Sequence, residues 1–129
     1  MVVIISCHHF PDDERIYHKQ IKSLLRDGHR VLYYTRSSSN LNLSDGAIAH
    51  INLSINFGIS VFIDKVLNSI KSTRNIHQIQ IHEVELLPII KKMKICVCIQ
   101  IDYCKTASQT NSNTSSYSPF VCPCHIGKT

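Results

Sequence analysis

Several things are scarce in these 129 residues, and each scarcity excludes something. Tryptophan is absent, and the five Tyr and four Phe do not interleave with arginine. That removes the stacking platforms on which single-stranded nucleic acids lie. Basic residues form no dense run, so a nuclear signal or RNA-binding arm is excluded as well, and nucleic acid is not an expected partner. No apolar run approaches the ~18 residues that a membrane-spanning helix needs. The apolar start, Val2 to Ile5, is broken by His8, His9 and Pro11. It falls short of the roughly 7–15 residues of a secretory h-region, so the chain is expected to stay in the cytoplasm. Glycine occurs only four times, and none lies in the turn that follows the first apolar segment.

What is present is globular in kind. Hydrophobic residues make up 43% and charged residues 18%, in a length that suits one domain. The net charge of +5 favours anionic partners such as phosphates, and leaves room for peripheral association with an acidic membrane surface. Val2-Val3-Ile4-Ile5-Ser6 reads as a strand buried on both faces, as in parallel sheets. A polar loop, Cys7 to Asp13, leads into a helix over Glu14 to Asp27. Tyr17, Ile21, Leu24, Leu25 and Gly28 fall on one stripe of that helix. Asp12, Asp13 and Glu14 supply the cap and acidic first turn, and Gly28 the stop. His29 to Thr35 is a second strand, which completes a βαβ unit and implies a parallel sheet.

Further strands are expected at Ala47–Ile55, Ile76–Ile81 and Ile95–Ile101, and helices at Val61–Thr73 and Glu83–Met93. Pro88 is compatible with the last helix only if it begins near Glu85. The fold class is therefore α/β, a Rossmann-like parallel sheet with flanking helices over residues 1–102. Residues 103–129 read as a low-complexity, disordered tail, because Thr106 to Ser118 is almost wholly Ser, Thr, Asn and Gln. Five of the six cysteines lie at 96, 98, 104, 122 and 124. Disulfides do not suit a cytoplasmic chain. Zinc is disfavoured too, because Cys96-x-Cys98 in a strand would point its thiols to opposite faces, whereas zinc knuckles use Cys-x2–4-Cys. No metal is expected.

The βαβ unit invites a dinucleotide, but the turn Cys7-His8-His9-Phe10-Pro11-Asp12-Asp13 lacks the G-x-G-x-x-G pattern that lets backbone reach a pyrophosphate. The second strand ends in Tyr34-Thr35-Arg36, with no acid for a ribose. NAD, FAD and any other cofactor are not expected. In place of glycines stand His9, Asp13, Arg15 and Lys19. His9, Asp13 and Arg15 lie at the carboxyl end of the first strand, where open α/β sheets bind ligands, and Lys19 shares a helix face with Arg15. Asp13 also suits a helix cap or a pair with Arg15, and the basic face continued by Lys22 and Arg26 suits simple solvation.

His9-x3-Asp13-x-Arg15-Ile16-x2-Lys19, followed by Leu25-Arg26-Asp27-Gly28-His29-Arg30-Val31, resembles the opening of family-4-type glycosyltransferases of the GT-B fold. Ile79-Gln80-Ile81-His82-Glu83-Val84-Glu85-Leu86-Leu87-Pro88 is similar to that family's His-x-His-Asp-Pro-Glu-Leu-Leu-Pro segment. Gln80 replaces a frequent His, Glu83 the usual Asp, and Val84 the Pro. The likeness covers about residues 2–95 and ends where Ile101-Asp102-Tyr103-Cys104 replaces an Asp-x-His-Glu turn.

The resemblance implies the N-terminal, acceptor-side domain of an enzyme that moves a sugar from a nucleotide-sugar donor to a glycan or lipid-linked acceptor. It implies acceptor or substrate contacts at His9, Asp13, Arg15, Lys19, His82 and Glu83. His82 matches the histidine near the transferred sugar, and also suits a helix cap. The donor diphosphate is held by a second domain in such enzymes. Three expectations follow for this chain: a truncated or frameshifted product, inactive alone; half of a split enzyme with a separate donor-binding chain; or a small α/β binding module whose Cys-rich tail holds zinc.

Overall fold

The structure is a computed structural model and describes residues 1–93. The expected fifth strand, the Cys96–Cys124 cluster and the 103–129 tail lie outside the described residues. Four parallel strands form one sheet in the order β3-β2-β1-β4: β1, Val2–Ile5; β2, Val31–Ser37; β3, Ile48–Ser54; β4, Gln78–Ile81. The continuous apolar run becomes β1, the strand with neighbours on both sides and every residue buried.

Side chains alternate across the sheet, so each strand feeds two cores. Val3 and Ile5 point to one face, with Leu32, Tyr34, Ile79 and Ile81, under helices α2 (Ile59–Lys71) and α3 (Leu87–Lys92). Phe62, Val66, Leu67 and Ile70 make the buried stripe of α2. Each such side chain contributes roughly 1.5–3 kcal/mol when fully buried. Val2 and Ile4 point the other way, with Val31, Tyr33 and Ile48. That face is covered by a π-helix, Glu14–Ile21, which runs directly into the short α1, Lys22–Arg26. The chain adds strands in one direction from β1 to β3, then returns to the opposite side of β1 for β4. Crossovers of constant hand then place their helices on opposite faces of the sheet.

The helix expected over 14–27 is present, but its winding is not the expected one. Its first eight residues form i→i+5 turns, as in the bond from His18 N–H to Asp13 O at 3.4 Å. Ile16 and Ile21, five residues apart, are the fully buried pair. At 3.6 residues per turn they would lie about 140° apart. The wider turn brings them onto one face, while Tyr17, Leu24 and Leu25 of the expected stripe are only partly buried. Gly28 ends the helix at φ +85°, a backbone region that favours glycine. Pro88 lies in the first turn of α3, which is entered through a 3-10 turn, Val84–Leu86.

β2 and β3 are parallel neighbours joined by residues 38–47, a connection without a helix. A buried polar network holds that loop. His50 Nδ1 accepts from the Leu43 N–H at 3.1 Å, which puts the ring proton on Nε2 and points it at Thr35 Oγ1, 2.8 Å away. The Thr35 and Ser37 hydroxyls both donate to Asn52 Oδ1, and Asn52 Nδ2 donates to the carbonyl of Ser39. The same loop guards the sheet edge. Ser44 Oγ bonds both the N–H and the carbonyl of His50, and Asp45 exchanges backbone bonds with Ile48. The outward backbone groups of β3's first half are thus closed to another strand.

Candidate functional site

Register builds the site. Ile5 of β1 lies opposite Ile81 of β4, and the His82 N–H donates to the Ile5 carbonyl at 3.2 Å. The two chains therefore leave the sheet side by side, at its carboxyl end and at the point where strand order reverses. One exit carries Ser6-Cys7-His8-His9, the other His82-Glu83.

Glu83 ties the exits together. It sits in extended backbone ahead of the 3-10 turn, and its side chain turns back to the β1 exit. Its Oε1 accepts from Ser6 Oγ at 2.7 Å and from the His8 N–H at 3.1 Å, and its Oε2 from the Cys7 N–H at 3.1 Å. A buried carboxylate with three donors is satisfied. His9 Nε2 lies 3.7 Å from the same Oε1, and His9 Nδ1 lies 3.4 Å from Asp13 Oδ2. The His9 ring is thus set between two carboxylates while keeping 14% of its side chain in solvent.

Asp13 does what a capping residue does. Its Oδ1 accepts from the N–H groups of Arg15 at 2.9 Å and Ile16 at 3.2 Å. Burial raises the Asp13 carboxyl, but these bonds, with His9 and Arg15 nearby, outweigh it and hold the group below its ordinary value. His82 is buried, and Glu83, the N-cap residue of the helical turn after it, makes no side-chain capping bond. His9, Asp13 and Glu83 are therefore brought together, and His82 precedes Glu83 with its backbone N–H on the Ile5 carbonyl. The side chains of Arg15 and Lys19 are not part of that cluster: both are exposed on the π-helix, and among the described residues Arg15 Nε pairs with Asp13 alone, at 4.0 Å.

Three participants have no counterpart among the residues singled out from sequence. Ser6 and His8 bind Glu83, and His8 Nε2 also pairs with Glu85 at 3.5 Å in a solvent-exposed contact. Ser6, the first polar residue after an apolar run, was the available signal. Tyr33 is the third. Its hydroxyl is buried with no hydrogen-bond partner among the described residues, its ring stacks on His50, and burial together with the charges of Asp13 and Glu83 raises it above the ordinary tyrosine range. Cys7 is buried, and burial, then Glu83 and Glu85, push its thiol up to about 12, away from the thiolate form. Among the described residues, no group of three or more His, Cys, Asp or Glu is placed to hold a metal ion.

No protein-family model, curated protein or solved structure matches this chain. The site has to be read from its own chemistry. A positioned imidazole, a capping aspartate beside it and a buried carboxylate beneath form a surface that can hold a hydroxyl at His9. Phe10, next in sequence to His9, is an exposed apolar residue, 69% in solvent. Among the described residues, no helix is long and apolar enough to cross a membrane.

Proposed function

We propose that this chain is the acceptor-side unit of a GT-B, family-4-type glycosyltransferase, built on a Rossmann-like sheet. One observation carries the reading. The two segments that resemble that family, around His9 and around His82, stand far apart in sequence, yet His9 and Glu83 approach to 3.7 Å. The strand order β3-β2-β1-β4, with helices on both faces, supports the Rossmann-like part. In this role Glu83 pins the loop and Asp13 orients His9, and the His9 ring receives the acceptor hydroxyl that attacks the sugar. The nucleotide-sugar donor and its departing diphosphate belong to a second domain, so these residues bind the acceptor without transferring sugar by themselves. An acceptor with a lipid part and an anionic head suits an exposed Phe10 and exposed Arg15 and Lys19 better than a neutral glycan does.

Titration of the isotope-labelled chain with oligosaccharides and with lipid-phosphate sugars in nanodiscs tests this. Saturable shifts of the His9 ring signals are expected, with affinity lowered about tenfold or more in His9→Ala by loss of one charged or polar contact. No binding to any of these acceptors, or binding indifferent to His9→Ala, would overturn the proposal.

A further inference from the structure

The turn after β1 has the form of an anion cradle. Two successive backbone N–H groups, of Cys7 and His8, and the Ser6 hydroxyl converge on the two oxygens of one carboxylate. Successive N–H groups aimed into one concavity bind phosphates and other oxyanions, and in open α/β sheets the first turn is their usual place. Here the anion is supplied by the chain, since Glu83 fills the cradle from the turn after β4 and is itself buried.

We infer that the β1 turn is an oxyanion-binding site kept filled by Glu83, and that by filling it Glu83 becomes the positioning residue for His9. Two features favour this over a fortuitous contact. The donors match a carboxylate in number and division, two on Oε1 and one on Oε2, with the His9 ring beside the doubly bonded oxygen. The turn also lacks the glycines that let backbone approach a bulky pyrophosphate, while it does hold the carboxylate that enters from the turn after β4. A phosphate-bearing ligand must therefore meet His9 at the outer side of the turn rather than the amides within it. The same cradle would serve a chain that handled no sugar, so this inference and the glycosyltransferase reading fail by different results.

Chemical rescue tests it. In the full 129-residue chain, Glu83→Ala vacates the cradle without supplying a substitute. Its melting temperature should fall by roughly 10–20 °C, as expected when several donors are left unpaired in a small domain. Sodium formate should restore much of that loss, and sodium chloride at equal ionic strength should not. The His9 ring signals should move in the variant and return with formate. Wild type should not respond to formate, and neither should Glu83→Gln, whose side chain still fills the space but turns an N–H2 group toward the donors. If Glu83→Ala does not fold by itself, refolding in formate or chloride gives the same reading through far-ultraviolet circular dichroism. Recovery only in formate supports the cradle. A variant that melts like wild type, equal effects of formate and chloride, or recovery in neither salt overturns it.

Discussion

Two buried polar clusters fasten loops to the carboxyl half of this sheet, and they differ in kind. At β1 and β4, Glu83 gathers Ser6, Cys7 and His8, and His9 stands beside it with part of its ring in water. At β2 and β3, Thr35, Ser37, His50 and Asn52 bond mainly to one another and to the loop at 38–47. The second cluster is neutral: the ring of His50 is locked as one tautomer, and burial lowers its affinity for a proton. The first is built around a carboxylate and leaves 14% of the His9 side chain in solvent. A closed neutral network serves the scaffold. A network that ends in a solvent-reaching histidine is what a binding site requires.

The largest effect should come from breaking each cluster at its hub. Glu83→Leu removes the acceptor for three donors in a dry place, and should cost roughly 3–5 kcal/mol of unfolding free energy in urea. Asn52→Leu leaves two hydroxyls and the Ser39 carbonyl to find other partners at a partly exposed edge, at roughly 1–3 kcal/mol. An Asn52 variant as damaging as the Glu83 variant would mean that the charge at Glu83 adds nothing to the contrast.

The scaffold was the more legible part of this comparison, though not all of it. An unbroken apolar run could only be a strand covered on both faces, and β1 is that strand. Asp13 and Gly28 marked the helix ends through local chemistry alone, a side-chain acceptor and a positive φ. The π-winding was hidden because a template of i, i+3, i+4 and i+7 gives no weight to Ile16 and Ile21. His9 and Glu83 were each singled out, but their contact depends on strand order, which local pattern does not encode. The neutral cluster left a fainter trace. Thr35 and Ser37 on β2, and His50 and Asn52 on β3, are spaced by two and so share a sheet face; only the register of β2 on β3 joins them.

Acid should separate the clusters at a middle scale. The folded state lowers the His50 pKa, so its contribution is complete above about 6.5 and is lost as pH falls below that value. The slope due to His50 cannot exceed about 1.4 kcal/mol per pH unit for one proton. Asp13 is also lowered, but from 3.8, so its contribution persists until pH falls through that range and below. Urea midpoints from pH 7.5 to 5.5 should therefore decline in wild type and in Asp13→Asn alike, and decline less steeply in His50→Gln. An unchanged slope in His50→Gln would place the titration at another histidine and remove the contrast in pH.

The smallest effect on folding should come from the residues that stand apart from both clusters. The side chains of Arg15 and Lys19 are exposed, and that of Arg15 comes no nearer to Asp13 than 4.0 Å. Their alanine variants should each change stability by no more than about 0.5 kcal/mol. Binding is a different matter. On the proposed function, an acceptor with an anionic head should bind each variant severalfold more weakly at low salt, and the difference should fade as ionic strength approaches 1 M, where the screening length is about 3 Å. A neutral glycan would bind both variants as it binds wild type. The salt dependence of these two surface substitutions thus distinguishes an anionic acceptor at the His9 cluster from an uncharged one, without disturbing the fold that presents it.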